Sequence, residues 1–362
     1  MLTKILTLLL LLLSPFVALA KFTISGKVLN AVDQKPVQGA TIFLANAFGA
    51  TKTDKDGTFT LKNVSGGQYE LVVSTLGYKT SGQIVSVNNN IKLKDVSLLI
   101  TTTQAKDINA KPDSEWVKNY NDFKSKFLGN SEFAGDCKIL NPEVIKLRYD
   151  HRSVSLVGSS SDFIIIENRA LGYRIKYLLL SFQASFEQRL VSYSGLAYFE
   201  NLAGDSSIQA QWKDARLNVY LGSSMHFLRS ALTNQLSANG FAIRPAVIQP
   251  NPYYKDEPFG KKYSASLVNS LLKPDEFMRP TTDSTLHALI FSDALYVTYS
   301  REPVKDTTFN RLAPATVVIL NKRYAAFDNN GVFTDPSAIT FDGLWGQNYL
   351  PQMLPVDYDP GK

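Results

Sequence analysis

From Phe22 to Leu98 the apolar side chains recur at alternate positions in short runs: Phe22/Ile24/Val28, Ile42/Leu44, Phe59/Leu61, Tyr69/Leu71/Val73, Ile84 and Val87, then Ile91/Leu93. Successive side chains of a strand point to opposite faces, so a period of two with one apolar set describes half-buried strands. The residues between the runs have turn chemistry: Asp33-Gln34-Lys35-Pro36, Asp54-Lys55-Asp56-Gly57, Ser65-Gly66-Gly67, Gly77-Tyr78 and Asn88-Asn89-Asn90. Six or seven strands in under 80 residues, with no helical period, predict a β-sandwich over residues 21–99. Asp54-Lys55-Asp56-Gly57 reads as a solvated hairpin turn. A calcium loop would need further oxygen ligands and a closing Glu that do not follow.

The sandwich is preceded by Lys4, an apolar stretch from Ile5 to Leu13, a break at Ser14-Pro15 and the small-residue triplet Ala18-Leu19-Ala20. This is the pattern of a secretory signal peptide over residues 1–20, with cleavage expected before Lys21. Lys21 is not a cysteine, so no lipid anchor is predicted there. Nothing later reaches the roughly 18 uninterrupted apolar residues of a membrane helix. Cys137 is the one cysteine, which rules out an intramolecular disulfide, and beside Ile139 and Leu140 it reads as a small packed hydrophobe. Loss of Lys4 takes the formal charge from +6 to +5. The basic residues are scattered among the acids, so no nucleic-acid partner is expected, since phosphate binding needs a concentrated basic face.

Five ordered blocks carry a family resemblance: Ser25-Gly26-Lys27-Val28, Pro36-Val37-Gln38-Gly39-Ala40-Thr41-Ile42, Thr53-Asp54-Lys55-Asp56-Gly57-Thr58-Phe59, Gly67-Gln68-Tyr69-Glu70-Leu71 and Leu76-Gly77-Tyr78. Together they resemble the carboxypeptidase regulatory-like domain. That resemblance implies a transthyretin-like fold and a non-catalytic role beside enzymes or at the start of outer-membrane receptors. Blocks further along, among them Phe127-Leu128-Gly129-Asn130-Ser131 and Tyr220-Leu221-Gly222-Ser223-Ser224, resemble Gram-negative envelope proteins in which this domain precedes a long uncharacterised region.

Residues 100–113 are polar, contain Thr101-Thr102-Thr103 and Pro112, and read as a linker. Ser114 then caps a predicted helix on which Trp116, Tyr120, Phe123 and Phe127 form one stripe, stopped by Gly129. Strand-like runs follow at 144–149, 153–157, 163–167, 173–182 and 190–199. A run at 217–221 leads through Gly222-Ser223-Ser224 into a helix bearing Met225, Leu228, Leu232 and Leu236, with Gly240 at its C-terminal side. The expected class is mainly β: the sandwich, an α+β region over 114–240 with a few helices, and a β-rich region over 241–362 packed with it. Four prolines between Arg244 and Phe259 read as a loop or a seam between lobes, and strands are expected at 286–291, 295–299 and 316–320 with an Asn329-Asn330-Gly331 hairpin.

No enzyme template fits. His151, His226 and His287 are followed three residues later by Val154, Arg229 and Ile290, so the His-x-x-Glu of a zinc carboxypeptidase is missing. No Gly-x-Ser-x-Gly elbow occurs, and Ser270-Leu271-Leu272-Lys273 lacks the companion motifs of penicillin-recognising enzymes. No catalytic residue, metal or cofactor is therefore assigned. The expected function is a non-catalytic exported envelope protein of the periplasm or outer membrane, binding or scaffolding an envelope polymer or protein. An outer-membrane β-barrel and an envelope hydrolase stand as alternatives. Two candidate sites emerge. One is an anion site at the helix start, Gly222, Ser223 and Ser224 with His226 and Arg229, against which stands simple capping by serine. The other is a set of rings for sugar stacking, Trp345, Tyr349 and Tyr358.

Overall fold

The computed structural model describes residues 21–101, 114–187, 190–252, 263–304, 314–347 and 350–361. The signal-peptide reading of 1–20 and most of the linker, 102–113, lie outside these residues. The alternating stretch becomes two facing sheets. Strand Lys21–Asn30 pairs antiparallel with Thr58–Ser65 and parallel with Ile91–Lys92 and Val96–Leu98, while Ala50–Lys52, Thr41–Leu44, Gly67–Ser74 and Ser81–Val87 form the second sheet in that order. Ile24, Val28, Ile42, Phe59, Leu61, Leu71 and Val73 fill the space between them. The turn reading of Asp54 holds in detail. Its carboxylate accepts from Asp56 N at 2.9 Å, Thr58 N at 2.8 Å and Thr58 Oγ1 at 2.5 Å. Those bonds hold the carboxyl below its ordinary range.

The period of two breaks at Ile42-Phe43-Leu44 and Leu71-Val72-Val73, where every side chain is buried. A continuous apolar run marks a strand covered on both faces. The outer face here carries Phe43 and Val72, which pack on Tyr198 and Phe163 of the next lobe, with the Phe43 ring 5.0 Å from that of Tyr198 and 5.5 Å from that of Phe163. Strand Ala47–Phe48 also pairs in parallel with Tyr198 and Phe199.

The second lobe is a seven-stranded sheet including that borrowed strand. Its centre is the long hairpin of Tyr173–Ser185 and Leu190–Asn201. Helix α1, Ser114–Leu128, lays its predicted stripe across the sheet: Phe123 and Phe127 are fully buried, and Phe127 meets Tyr177 and Tyr193 edge-on at 5.3 and 5.0 Å. Gly129, at φ 68°, supplies the left-handed stop. Cys137 packs in this core, and burial pushes its thiol up to about 12.

Two elements depart from expectation. Residues 217–221 are the end of helix α2, Ser206–Tyr220, and its cap, not a strand. Helix α3, Ser224–Leu232, stops before Gly240, with Asn234 at φ 53° turning the chain. Helix α3 is shared between two cores. Phe227, Leu228 and Ala231 pack with Phe241, Phe327 and Trp345 in the third core, while Met225 packs against the second, so the third core already includes residues before 240. The proline-rich segment begins as strand Phe241–Pro250, an interior strand next to the edge of a five-stranded sheet. Pro245 lies where pairing to Tyr263–Leu267 ends, and its carbonyl accepts from Val268 N at 3.0 Å. A missing N–H is tolerated at such a position.

Residues 350–361 run back as a strap. Leu350 and Leu354 enter the second core, Val356 packs against the sandwich core, and Val356 N donates to Asn46 O at 2.8 Å. Asn330 Nδ2 joins the third lobe to the sandwich by donating to Tyr69 Oη at 3.0 Å. Because these contacts are independent of the linker, cutting an engineered protease site inserted between Thr102 and Asp113 is expected to leave both fragments eluting together on size exclusion. Separation of an isolated sandwich after the cut would show that the shared faces contribute too little to hold it.

Candidate functional site

A concavity with converging charge, about 840 Å³, opens where the sandwich, the long hairpin, helix α2 and the strap meet. Two edge strands of the sandwich, Ala50–Lys52 and Thr58–Ser65, supply one wall. On the other wall Arg216 lies over Tyr173, its guanidinium carbon 3.8 Å from the ring centroid. That arginine is held by donating to Leu171 O at 2.6 Å, Gly172 O at 3.0 Å and Asn201 Oδ1 at 3.1 Å. Burial lowers its pKa from the usual value.

Four cations, Lys21, Lys62, Lys213 and Arg216, line the cleft against two acids, Asp357 and Asp359, leaving a formal excess of two positive charges. Lys21 Nζ donates to Ser65 Oγ at 2.6 Å. Lys62 and Lys213 make no ion pair among the described residues and stand exposed. Asp357 Oδ1 accepts from Phe48 N at 2.9 Å, and desolvation still raises its carboxyl above the ordinary range. Phe48 and Tyr358 add aromatic surface.

The proposed anion residues are together on the chain but do not act together. Ser223 is the N-cap of α3, accepting from His226 N at 3.1 Å, and Gly222 N donates to His226 Nδ1 at 3.1 Å. Burial and the nearby Arg229 lower His226 to about 4, so the ring is a neutral acceptor. Arg229 turns away from Ser223 and Ser224. It donates to Asn330 O, Tyr358 O and Val356 O at 2.8, 2.6 and 3.0 Å, so its fork is occupied by backbone carbonyls and the five residues do not converge on one anion. Ser223 and Ser224 instead face a separate cavity, with Tyr177 and Tyr193.

The stacking set divides. Trp345 is 7% exposed, packs on Phe227 and Phe341, and donates its indole N–H to Gly222 O at 2.7 Å, so it presents no face to a sugar. Tyr349 lies outside the described residues. Tyr358 does line the charged cleft. Lys62, Lys213, Arg216 and Tyr173 carried no sequence signal, because residues 21 to 359 contribute to one surface and nothing in their spacing says so. Among the described residues no three of His, Cys, Asp and Glu converge to hold a metal ion, and no helix is long and apolar enough to cross a membrane.

The architecture defines a mainly β protein in which a small sandwich is built against a larger multi-sheet body. That sandwich is a carboxypeptidase regulatory-like domain: residues 24–109 match the CarboxypepD_reg-like domain family. No curated protein matches the chain. Among solved structures it is similar to an N-terminal interface mutant of the type II cohesin-X-dockerin complex of Acetivibrio cellulolyticus, with 24% identity over 22% of this chain and 56% of that one, TM-score 0.20. The group B streptococcus pilus 2b backbone protein gives 21% identity over 22% and 42%, TM-score 0.20. The major pilin subunit BcpA of Bacillus cereus gives 12% over 23% and 31%, TM-score 0.20. The chain thus spans about half the length of the first two of these.

Proposed function

We propose that this is an exported envelope protein with a binding and scaffolding role, and that the charged cleft is where it holds an acidic envelope polymer. The observation that carries the reading is the gathering of Lys21, Lys62, Lys213 and Arg216, with Phe48 and Tyr358, from separate parts of the chain onto one concave surface. Long side chains such as Lys62 and Lys213, which make no ion pair among the described residues, attract carboxylates spaced along a polymer, while ring faces accept the apolar faces of sugars. The leader-like residues 1–20 support the exported setting.

Polygalacturonate is a suitable acidic glycan, with dextran as its neutral counterpart. The protein is expected to bind the first and not the second in low salt, and to release it as salt rises, because exposed charges are screened. The double substitution Lys62→Glu/Lys213→Glu is expected to weaken binding roughly tenfold or more, since two attractions become repulsions at exposed sites. Equal binding of both polymers, or an unchanged affinity in the double variant, would place the ligand elsewhere.

A further inference from the structure

A second cavity, about 400 Å³, lies between the long hairpin and the start of α3, lined by strap residues Leu350 to Leu354 where the charged cleft takes Pro355 to Asp359. Its body is apolar: Tyr177, Tyr193, Val219, Met225, Met353 and Leu354 contribute to the lining, and no acidic or basic side chain does. Phe127 backs the two tyrosine rings, whose centroids are 6.5 Å apart. Gly195 lets the Tyr177 ring lie against the neighbouring strand, since a Cβ there would strike that ring.

Two independent polar features belong to residues that line this cavity. The first is the opening turn of α3. Ser223 Oγ takes His226 N and Ser223 O takes Phe227 N, which leaves the N–H groups of Ser224 and Met225 without a partner among the described residues, and both residues line the cavity. Such groups carry the partial positive charge of a helix start. The second is Tyr177. The residue is 5% exposed and its hydroxyl makes no hydrogen bond among the described residues, although it is not sealed from the open volume. A buried phenol without a partner is costly unless something else meets it. Burial and the neighbouring Tyr193 raise the Tyr177 phenol, so it stays a neutral donor.

We infer that this cavity binds a small carboxylic acid with an apolar body, its carboxylate received by the Ser224 and Met225 N–H groups and Tyr177 Oη, its hydrocarbon or ring part lying on Val219, Met353 and Leu354. The volume is at the small end of the roughly 300–1,000 Å³ of ligand pockets, which suits a short acyl or aryl acid. With no acid on the wall, nothing repels the anion. With no cation on the wall either, recognition rests on hydrogen bonds and the helix start, so a headgroup lacking the charge is held less well.

The test is calorimetric titration of the purified protein with octanoate, and with 1-octanol as the uncharged analogue of equal length. Saturable sub-millimolar binding of octanoate, at least tenfold tighter than 1-octanol, is expected. Tyr177→Phe keeps the ring and removes only the hydroxyl, so it is expected to weaken octanoate five- to tenfold while leaving the thermal midpoint of the free protein unchanged. Val219→Trp fills the apolar end and is expected to abolish binding. The Lys62→Glu/Lys213→Glu variant is expected to bind octanoate as the parent does, which separates this cavity from the charged cleft. The inference is overturned if octanoate binds no better than 1-octanol, or if Tyr177→Phe binds it as tightly as the parent.

Discussion

Replacing Arg229 by alanine is expected to lower the stability of the chain by about 2–4 kcal/mol, read as a shifted midpoint in urea. The side chain is half-buried and donates to three backbone carbonyls, one on the Asn330 turn and two on the strap. Hydrogen bonds from a charged donor are worth more than neutral ones, and carbonyls left behind out of water add their own desolvation cost. Arg229→Lys keeps the charge, but one ammonium cannot span acceptors on two segments as the planar fork does, so it is expected to recover less than half of the loss. If urea midpoints of parent and alanine variant coincide, the three bonds carry no net energy. If octanoate affinity falls while stability holds, Arg229 serves the cavity after all.

Ending the chain before Leu350 is expected to be more severe. Leu350 and Leu354 are 3% and 9% exposed, and their burial is worth about 1.5–3 kcal/mol each. Pro351 O also accepts from Asn168 Nδ2 at 2.7 Å, and Asn168 is fully buried, so truncation strands a core amide as well. Together with the lost Arg229 contacts this approaches the roughly 5–15 kcal/mol net stability of a folded domain. The truncated chain is expected to be trypsin-sensitive throughout its second lobe, and a synthetic peptide of residues 350–361 added in trans is expected to restore protection. Full protection of the truncated chain without peptide would reduce the strap to a surface trimming.

What was legible in the sequence was local. The sandwich strands follow from alternation and turn residues, and the stripe Trp116, Tyr120, Phe123, Phe127 fixes α1, because each signal spans fewer than twenty residues. Helix α2 was missed because its buried contacts are few: Trp212 and Tyr220 alone are buried, and the rest of its surface is partly or fully exposed. Its one clear mark was Asp205, an N-cap that accepts from Ile208 N at 2.9 Å. Strand Phe241–Pro250 was hidden by Pro245, whose effect depends on where the partner strand ends. The sites were the least legible. Arg229 and Trp345 have the chemistry of ligand-binding side chains, yet both are used up on backbone carbonyls from distant segments. No spacing rule reports which carbonyl will arrive there.

Asp328 shows how closely those distant segments are joined. It is 2% exposed, accepts from Asn330 N at 3.0 Å, Val332 N at 2.9 Å and Asn330 Nδ2 at 3.0 Å, and burial still raises its carboxyl. The same Asn330 amide reaches Tyr69 in the sandwich. A Cβ on Gly67 would strike that amide, so Gly67 is the point at which the sandwich backbone makes room for the Asn330 and Asp328 side chains.

The strap has a consequence in time. Residues 350–361 follow in the chain every lobe they tie together, so a ribosome completes the sandwich, the long hairpin and the third sheet before it supplies the segment that locks them. Until then Phe43, Val72 and Tyr198 can meet, but Arg229 has no strap carbonyls to grip and the second core lacks Leu350 and Leu354. Domains of a multi-lobed chain fold in order of synthesis, and the interval before the last one docks is when apolar faces are open to other chains. The joining of the three lobes thus waits on residues 350–361, and until they dock it is the second core, at the places of Leu350 and Leu354, that stands open, while the sandwich–hairpin seam is already able to close.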